Sequence, residues 1–144
     1  MEYRCTTEEL SKIKENLAAG DIIYLTGMVY TSRDAAHKRI FELINRGEEL
    51  PFDIKNAVIY YAGPTATKLG QIIGSCGPTT SGRMDVFAPK LYDMGLLATI
   101  GKGERSKDVI DAIIRNKALY LCAVGGAGAV AAGHIEKAEE IAFY

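Results

Sequence analysis

The sequence has no tryptophan, 2 histidines, 3 cysteines and 4 prolines among its 144 residues. Each scarcity excludes something. Cys5, Cys76 and Cys122 are odd in number, and no CxxC or CxxH is present, so a secreted disulfide framework is not expected. The spacings between them match no compact iron–sulfur ligand pattern, so small buried residues in a reducing cytoplasm are the expectation. Seventeen Lys and Arg stand against 18 Asp and Glu, a net charge of −1. No basic field points to nucleic acid or to an anionic membrane. The longest stretch without a charge, residues 118–133, is short and carries four glycines. A membrane span needs about 20 predominantly apolar residues. The N-terminus MEYRCTTEELSKIKENL lacks the apolar centre of a secretory signal.

What is there fits a globular domain. Hydrophobic residues make up 48% and charged residues 24%, and a chain of this length buries roughly 70% of its unfolded surface. One domain, 1–144, is the expectation. Only Gly20, Gly27 and Gly47 fall before residue 63; the other 12 of 15 glycines lie between Gly63 and Gly133. Glycine lets the backbone approach a ligand or another chain closely, so a site is sought in the second half. Thr6 or Thr7 is positioned to cap a helix running to about Leu17, with Glu8 and Glu9 in its first turn. DIIYLTGMVY, NAVIYYAG, LLATIG and ALYLCAV read as strands. Helices are expected over 33–46, from Arg83 to about Met94 with a kink at Pro89, and from a Ser106 cap to about Asn116. LGQIIGSCGPTT reads as a short strand or irregular turn. The class is α/β with a mixed sheet.

Three clusters carry candidate chemistry. In GSCGPTTSGRMD (74–85), glycines and a proline shape a turn, and Thr79, Thr80 and Ser81 stand where a helix is expected to begin. A helix start favours an anion, and Arg83 adds a planar fork suited to a carboxylate. One hydroxyl is enough for a cap; three hydroxyls and an arginine exceed that need. In TSRDAAHKR (31–39), Arg33 lies along the apolar stripe of its helix, so it calls for a partner. An internal salt bridge with Asp34 or Asp85 and a ligand carboxylate are both open. His37 shares that face and reads as a structural histidine. In Gly101-Lys102-Gly103, two glycines expose an amine at a strand end. Gly126-Ala-Gly128-Ala-Val-Ala131 satisfies GxGxx[GA], yet follows the last strand and lacks the acidic residue about 20 positions on, so it reads as tight packing and not as a dinucleotide site. Two arginines and a lysine near strand ends suit a small dicarboxylate. No Ser-His-Asp arrangement and no metal-ligand cluster accompanies them.

TSRDAAHKR, YAGPT, GPTTSGRMD and GKG, in that order along the chain, resemble the β subunit, or C-terminal domain, of class I iron–sulfur fumarases and L(+)-tartrate dehydratases. The resemblance runs from about Gly20 to Tyr144; family β subunits usually continue past the point where this chain stops. It implies a swivelling β/β/α fold. It also implies a separate α subunit carrying a [4Fe–4S] cluster on its own cysteines, with no metal ligated by this chain, one iron acting as a Lewis acid. Arg33, Arg83 and Lys102 would hold the carboxylates of a C4 diacid, Thr80 would help bind it, and Thr79 would be the base. A threonine hydroxyl is a weak base, so neighbouring cations would have to stabilise its alkoxide. The implied activity is the reversible hydration of fumarate to malate by a cytoplasmic hetero-oligomer. The alternatives are tartrate dehydration to oxaloacetate and, from another class, a non-catalytic anion-binding module.

Overall fold

The structure, a computed structural model, describes residues 2–32, 34–62 and 80–123. Two parallel sheets and four helices make up this part. Strands β1 (Glu2–Thr6) and β2 (Ile22–Thr26) form a two-stranded sheet. Helix α1 (Thr7–Ile13) connects them and continues into a 3-10 turn at Lys14–Asn16. Its start is a full capping box: Thr6 Oγ1 accepts from the Glu9 N–H, and Glu9 accepts from the Thr6 N–H. DIIYLTGMVY is two strands and not one. Gly27 has φ +130 and a Cβ there would press on Thr7, so the chain turns out of β2 before β3 (Tyr30–Thr31) joins the second sheet.

The second sheet runs β3, β4 (Val58–Tyr60), β5 (Ala98–Gly101), β6 (Leu119–Cys122), each parallel to its neighbour. Parallel neighbours require crossovers, and helices supply them: α2 (Asp34–Arg46) follows β3, α3 (Ala88–Asp93) precedes β5, and α4 (Lys107–Arg115) links β5 to β6. Among the described residues every pairing is parallel, so the mixed sheet expected from the sequence is not found there; the α/β class stands.

Strand alternation sorts two cores. Ile59 and Tyr61 face Ile40 of α2, Ala88, Leu91 and Tyr92 of α3, and Val109 and Ala112 of α4. Val58 and Ala98 face the other way, onto Cys5 of β1 and Leu10 of α1, with Ile23 and Leu25 of β2 alongside. The layers are therefore the two-stranded sheet with α1, the four-stranded sheet, and helices α2, α3 and α4. The helix expected from Arg83 to Met94 is divided. Residues Ser81–Met84 form a 3-10 turn, and α3 begins only at Ala88, with Pro89 in its first turn. Proline is tolerated there because its missing N–H is one that a first turn leaves unbonded anyway, so it starts α3 and does not kink it. Among the described residues no helix is long and apolar enough to cross a membrane.

Candidate functional site

The candidate residues gather at the C-terminal ends of the parallel strands, the usual location for ligands in an open α/β sheet. At the end of β5 the backbone continues one residue further, and Lys102 bridges in parallel to Thr80. The Ser81 N–H donates to the Lys102 carbonyl at 2.9 Å. The segment carrying Thr80 and Arg83 is thereby fastened to the segment carrying Lys102. Gly101 makes this approach possible, because a Cβ there would run into Ser81 Oγ and stand 2.9 Å from Tyr61 Cδ2. Thr80 heads the 3-10 turn without making a side-chain cap bond. Thr80 and Lys102 are both exposed.

Arg83 is 60% exposed and pairs with Asp34, the first residue of α2. This contact brings the start of α2 to the 81–84 turn. Of the residues marked in the sequence, Thr80, Arg83 and Lys102 come together at one end of the sheet. Arg33 and Thr79 lie outside the described residues, as do Cys76 and the 126–131 glycine motif. The start of an α-helix expected beside Thr80 and Ser81 is instead a four-residue 3-10 turn, so among the described residues the positive charges there are those of Arg83 and Lys102. His37 is fully buried, with its Nδ1 2.8 Å from Ser32 Oγ and its ring against Tyr61 and Phe87. That is a structural position.

Behind the exposed residues lies a group that the sequence reading passed over. The Arg105 side chain is 2% exposed. Its Nε donates to Asp85 Oδ1 at 2.8 Å, its Nη1 to Thr99 Oγ1 at 3.1 Å and its Nη2 to the Tyr61 hydroxyl at 3.1 Å. The guanidinium also lies over the Tyr61 and Tyr120 rings, 5.1 and 4.9 Å from their centroids. Asp85 uses its other oxygen to accept the Ser106 N–H at 2.7 Å, at the head of α4, where Ser106 caps Val109. The Tyr120 hydroxyl donates to the Gly103 carbonyl at 2.7 Å; its single proton is thus committed, and Ser81 donates to it at 2.8 Å. Likewise Tyr92 donates to the Leu119 carbonyl and receives from Thr99. Burial pushes the hydroxyls of Tyr61 and Tyr92 up, against the pull of Arg105 on Tyr61 and of Thr99 on Tyr92, and lifts Tyr120 to about 12. These phenols are held neutral, Tyr92 and Tyr120 as donors and Tyr61 as an acceptor from Arg105, and the arginine's charge is answered by Asp85. In sequence Arg105 looks like any surface arginine after a glycine turn; a tyrosine or threonine near the end of each of three strands was its only trace.

Among the described residues no three His, Cys, Asp or Glu side chains gather as a metal site, and Cys5 is buried on β1 while Cys122 is exposed at the end of β6. These residues do not fit an iron–sulfur cluster.

A family described as "Fumarase C-terminus" matches residues 2–144. A protein of Methanocaldococcus jannaschii provisionally named L(+)-tartrate dehydratase subunit beta is 36% identical over 99% of this chain and 74% of its own length. The L(+)-tartrate dehydratase subunit beta of Escherichia coli is 33% identical over 94% of the chain and 68% of its own. The anaerobic class I fumarate hydratase of Escherichia coli is 46% identical over 75% of the chain, which spans only 20% of that longer protein. The chain belongs to the fumarase C-terminal family, whose relatives named above are hydro-lyases and hydro-lyase subunits.

Proposed function

We propose that this chain is the β component of a cytoplasmic two-component hydro-lyase that reversibly hydrates fumarate to malate. The observation that carries the reading is the Thr80–Lys102 bridge, which pairs the main chains of two exposed residues, one bearing a hydroxyl and one an amine, next to the turn that bears Arg83. Two cations and a hydroxyl at one sheet end suit a small diacid, each carboxylate meeting its own cation. Arg33, one position before Asp34 in sequence, is the third proposed clamp. Thr79 is the proposed base, removing the proton from the carbon adjacent to the one that bears the hydroxyl. Fixed positive charge near the developing carbanion stabilises the transition state more than the ground state.

The site residues are exposed on one side. This suits half of a pocket closed by a partner, with closure by a swivel of this domain and water exclusion strengthening the fields. The partner is an α subunit that brings the [4Fe–4S] cluster; the two relatives named subunit beta support such a division of labour. Those same two support a second substrate, L(+)-tartrate dehydrated to oxaloacetate, because they match this chain over nearly all of its length.

The test is to combine the chain anaerobically with a candidate cluster-bearing partner and follow loss of the fumarate double bond, with tartrate alongside. Turnover of fumarate is the expected result; turnover of tartrate alone moves the assignment to the second substrate. Tight carboxylate binding by this chain alone, with no turnover in the complex, would replace both with a binding module. Arg83→Ala is expected to abolish turnover, and near-normal kcat/KM would remove Arg83 from the site.

A further inference from the structure

The exposed clamp residues stand on two segments, 80–85 and 102–106, that share little secondary structure. One side chain touches the supports of both. Arg105 belongs to the second segment and its Nε is bonded to Asp85, the last residue of the first. Asp85 returns a bond to the second segment through the Ser106 N–H. Tyr120, stacked under the Arg105 guanidinium, bonds Ser81 on one segment and the Gly103 carbonyl on the other. The remaining Arg105 donors anchor the group to β5 through Thr99 and to the end of β4 through Tyr61.

We propose that Arg105 is a positioning residue: with Asp85 and Tyr120 it locks the 102–106 loop to the 80–85 segment and so sets the spacing between Lys102 and Thr80. The proposal rests on the reading above that these two side chains grip one substrate. Arg105 itself is enclosed beneath the loop, its side chain 2% exposed. A buried lysine cannot replace it, since one ammonium lacks the three-way planar fork.

Two measurements test this. The first uses the full chain alone and reads amide hydrogen exchange in wild type, Arg105→Lys and Asp85→Asn. The Ser81 and Ser106 amides are expected to exchange at least tenfold faster in both variants, while the amides of the β4–β5 ladder hold their wild-type rates. Unchanged exchange at Ser81 overturns the proposal. If Arg105→Lys does not fold, Tyr120→Phe, which deletes both of its bonds across the gap, carries the same expectation at Ser81. The second measurement uses the complex with the α subunit. Arg105→Lys is expected to raise KM at least tenfold, and Lys102→Ala is expected to lose far less activity in that background than in wild type, because its amine is already out of place. Losses that simply multiply would mean that Arg105 does not act through Lys102. A wild-type complex that turns over neither fumarate nor tartrate would defeat the hydro-lyase reading, and the exchange rates would still decide the role of Arg105.

Discussion

Two arginine–aspartate pairs meet at the 81–85 segment, and they differ in nearly everything but composition. Asp85 pairs with Arg105, the two side chains 14% and 2% exposed. Arg83, two residues away, pairs with Asp34, and these are 60% and 39% exposed. In the buried pair every guanidinium nitrogen has a protein partner, and the attraction works in a medium of low dielectric. In the exposed pair water and salt compete throughout. The first arrangement holds a frame. The second neutralises a cation in a way that a ligand carboxylate can replace. The motif GRMD thus sets a scaffold contact and an exposed, proposed substrate contact side by side.

The comparison is broken most severely at Arg105. Arg105→Met leaves Asp85 buried without its counter-charge and is expected to lower stability by about 3–5 kcal/mol, read from the urea midpoint. Gly101→Ala comes next. Its methyl would meet Ser81 and Tyr61, and overpacking of this kind costs about 1–3 kcal/mol. The expected signature is a lower melting temperature together with faster exchange at the Ser81 amide. Alkaline titration sharpens the buried side further. Tyr61, Tyr92 and Tyr120 keep their protons in the folded state above the ordinary value near 10, Tyr120 up to about 12. Unfolding would release those protons, so stability is fully present below about pH 10 and declines as pH rises toward 12. The fall should be followed by circular dichroism and should precede any tyrosinate absorbance from these three residues. Arg83→Ala is the smallest effect on stability, at most about 1 kcal/mol. A loss as large as that of Arg105→Met would erase the distinction between the two pairs.

Much of the frame was legible in the sequence, for reasons tied to local chemistry. Thr6 with Glu9 and Ser106 with its following N–H groups are hydroxyl caps, and both helices start where those hydroxyls stand. The apolar stripe of 33–46 appears as Asp34–Arg46, with His37 and Ile40 buried. Runs of Val, Ile, Leu and Tyr mark β4 and β6. Strand β1 escaped notice: Glu2–Thr6 is short, two of its five residues are charged, and among the described residues it pairs with β2, about twenty residues away. The break at Gly27 was missed because the apolar run continues across it. The division at 85–87 was missed because the pattern does not show that proline would start a helix there and not bend one. At the candidate site, Thr80, Arg83 and Lys102 stand out in the sequence by residue type and neighbouring glycines, and folding brings the segments that carry them to one sheet end. Arg105 was not, since its burial depends on Tyr61, Thr99 and Tyr120, residues gathered from three strands only by folding.

The join between Thr80 and Lys102 is made by main-chain atoms, and peptide geometry is the same whatever side chains hang from it. The two positions therefore work like sockets whose own contents do not make the join, while Arg105 beneath them holds their spacing. On the proposed reading, a different diacid calls for other side chains in those sockets and not for another sheet end.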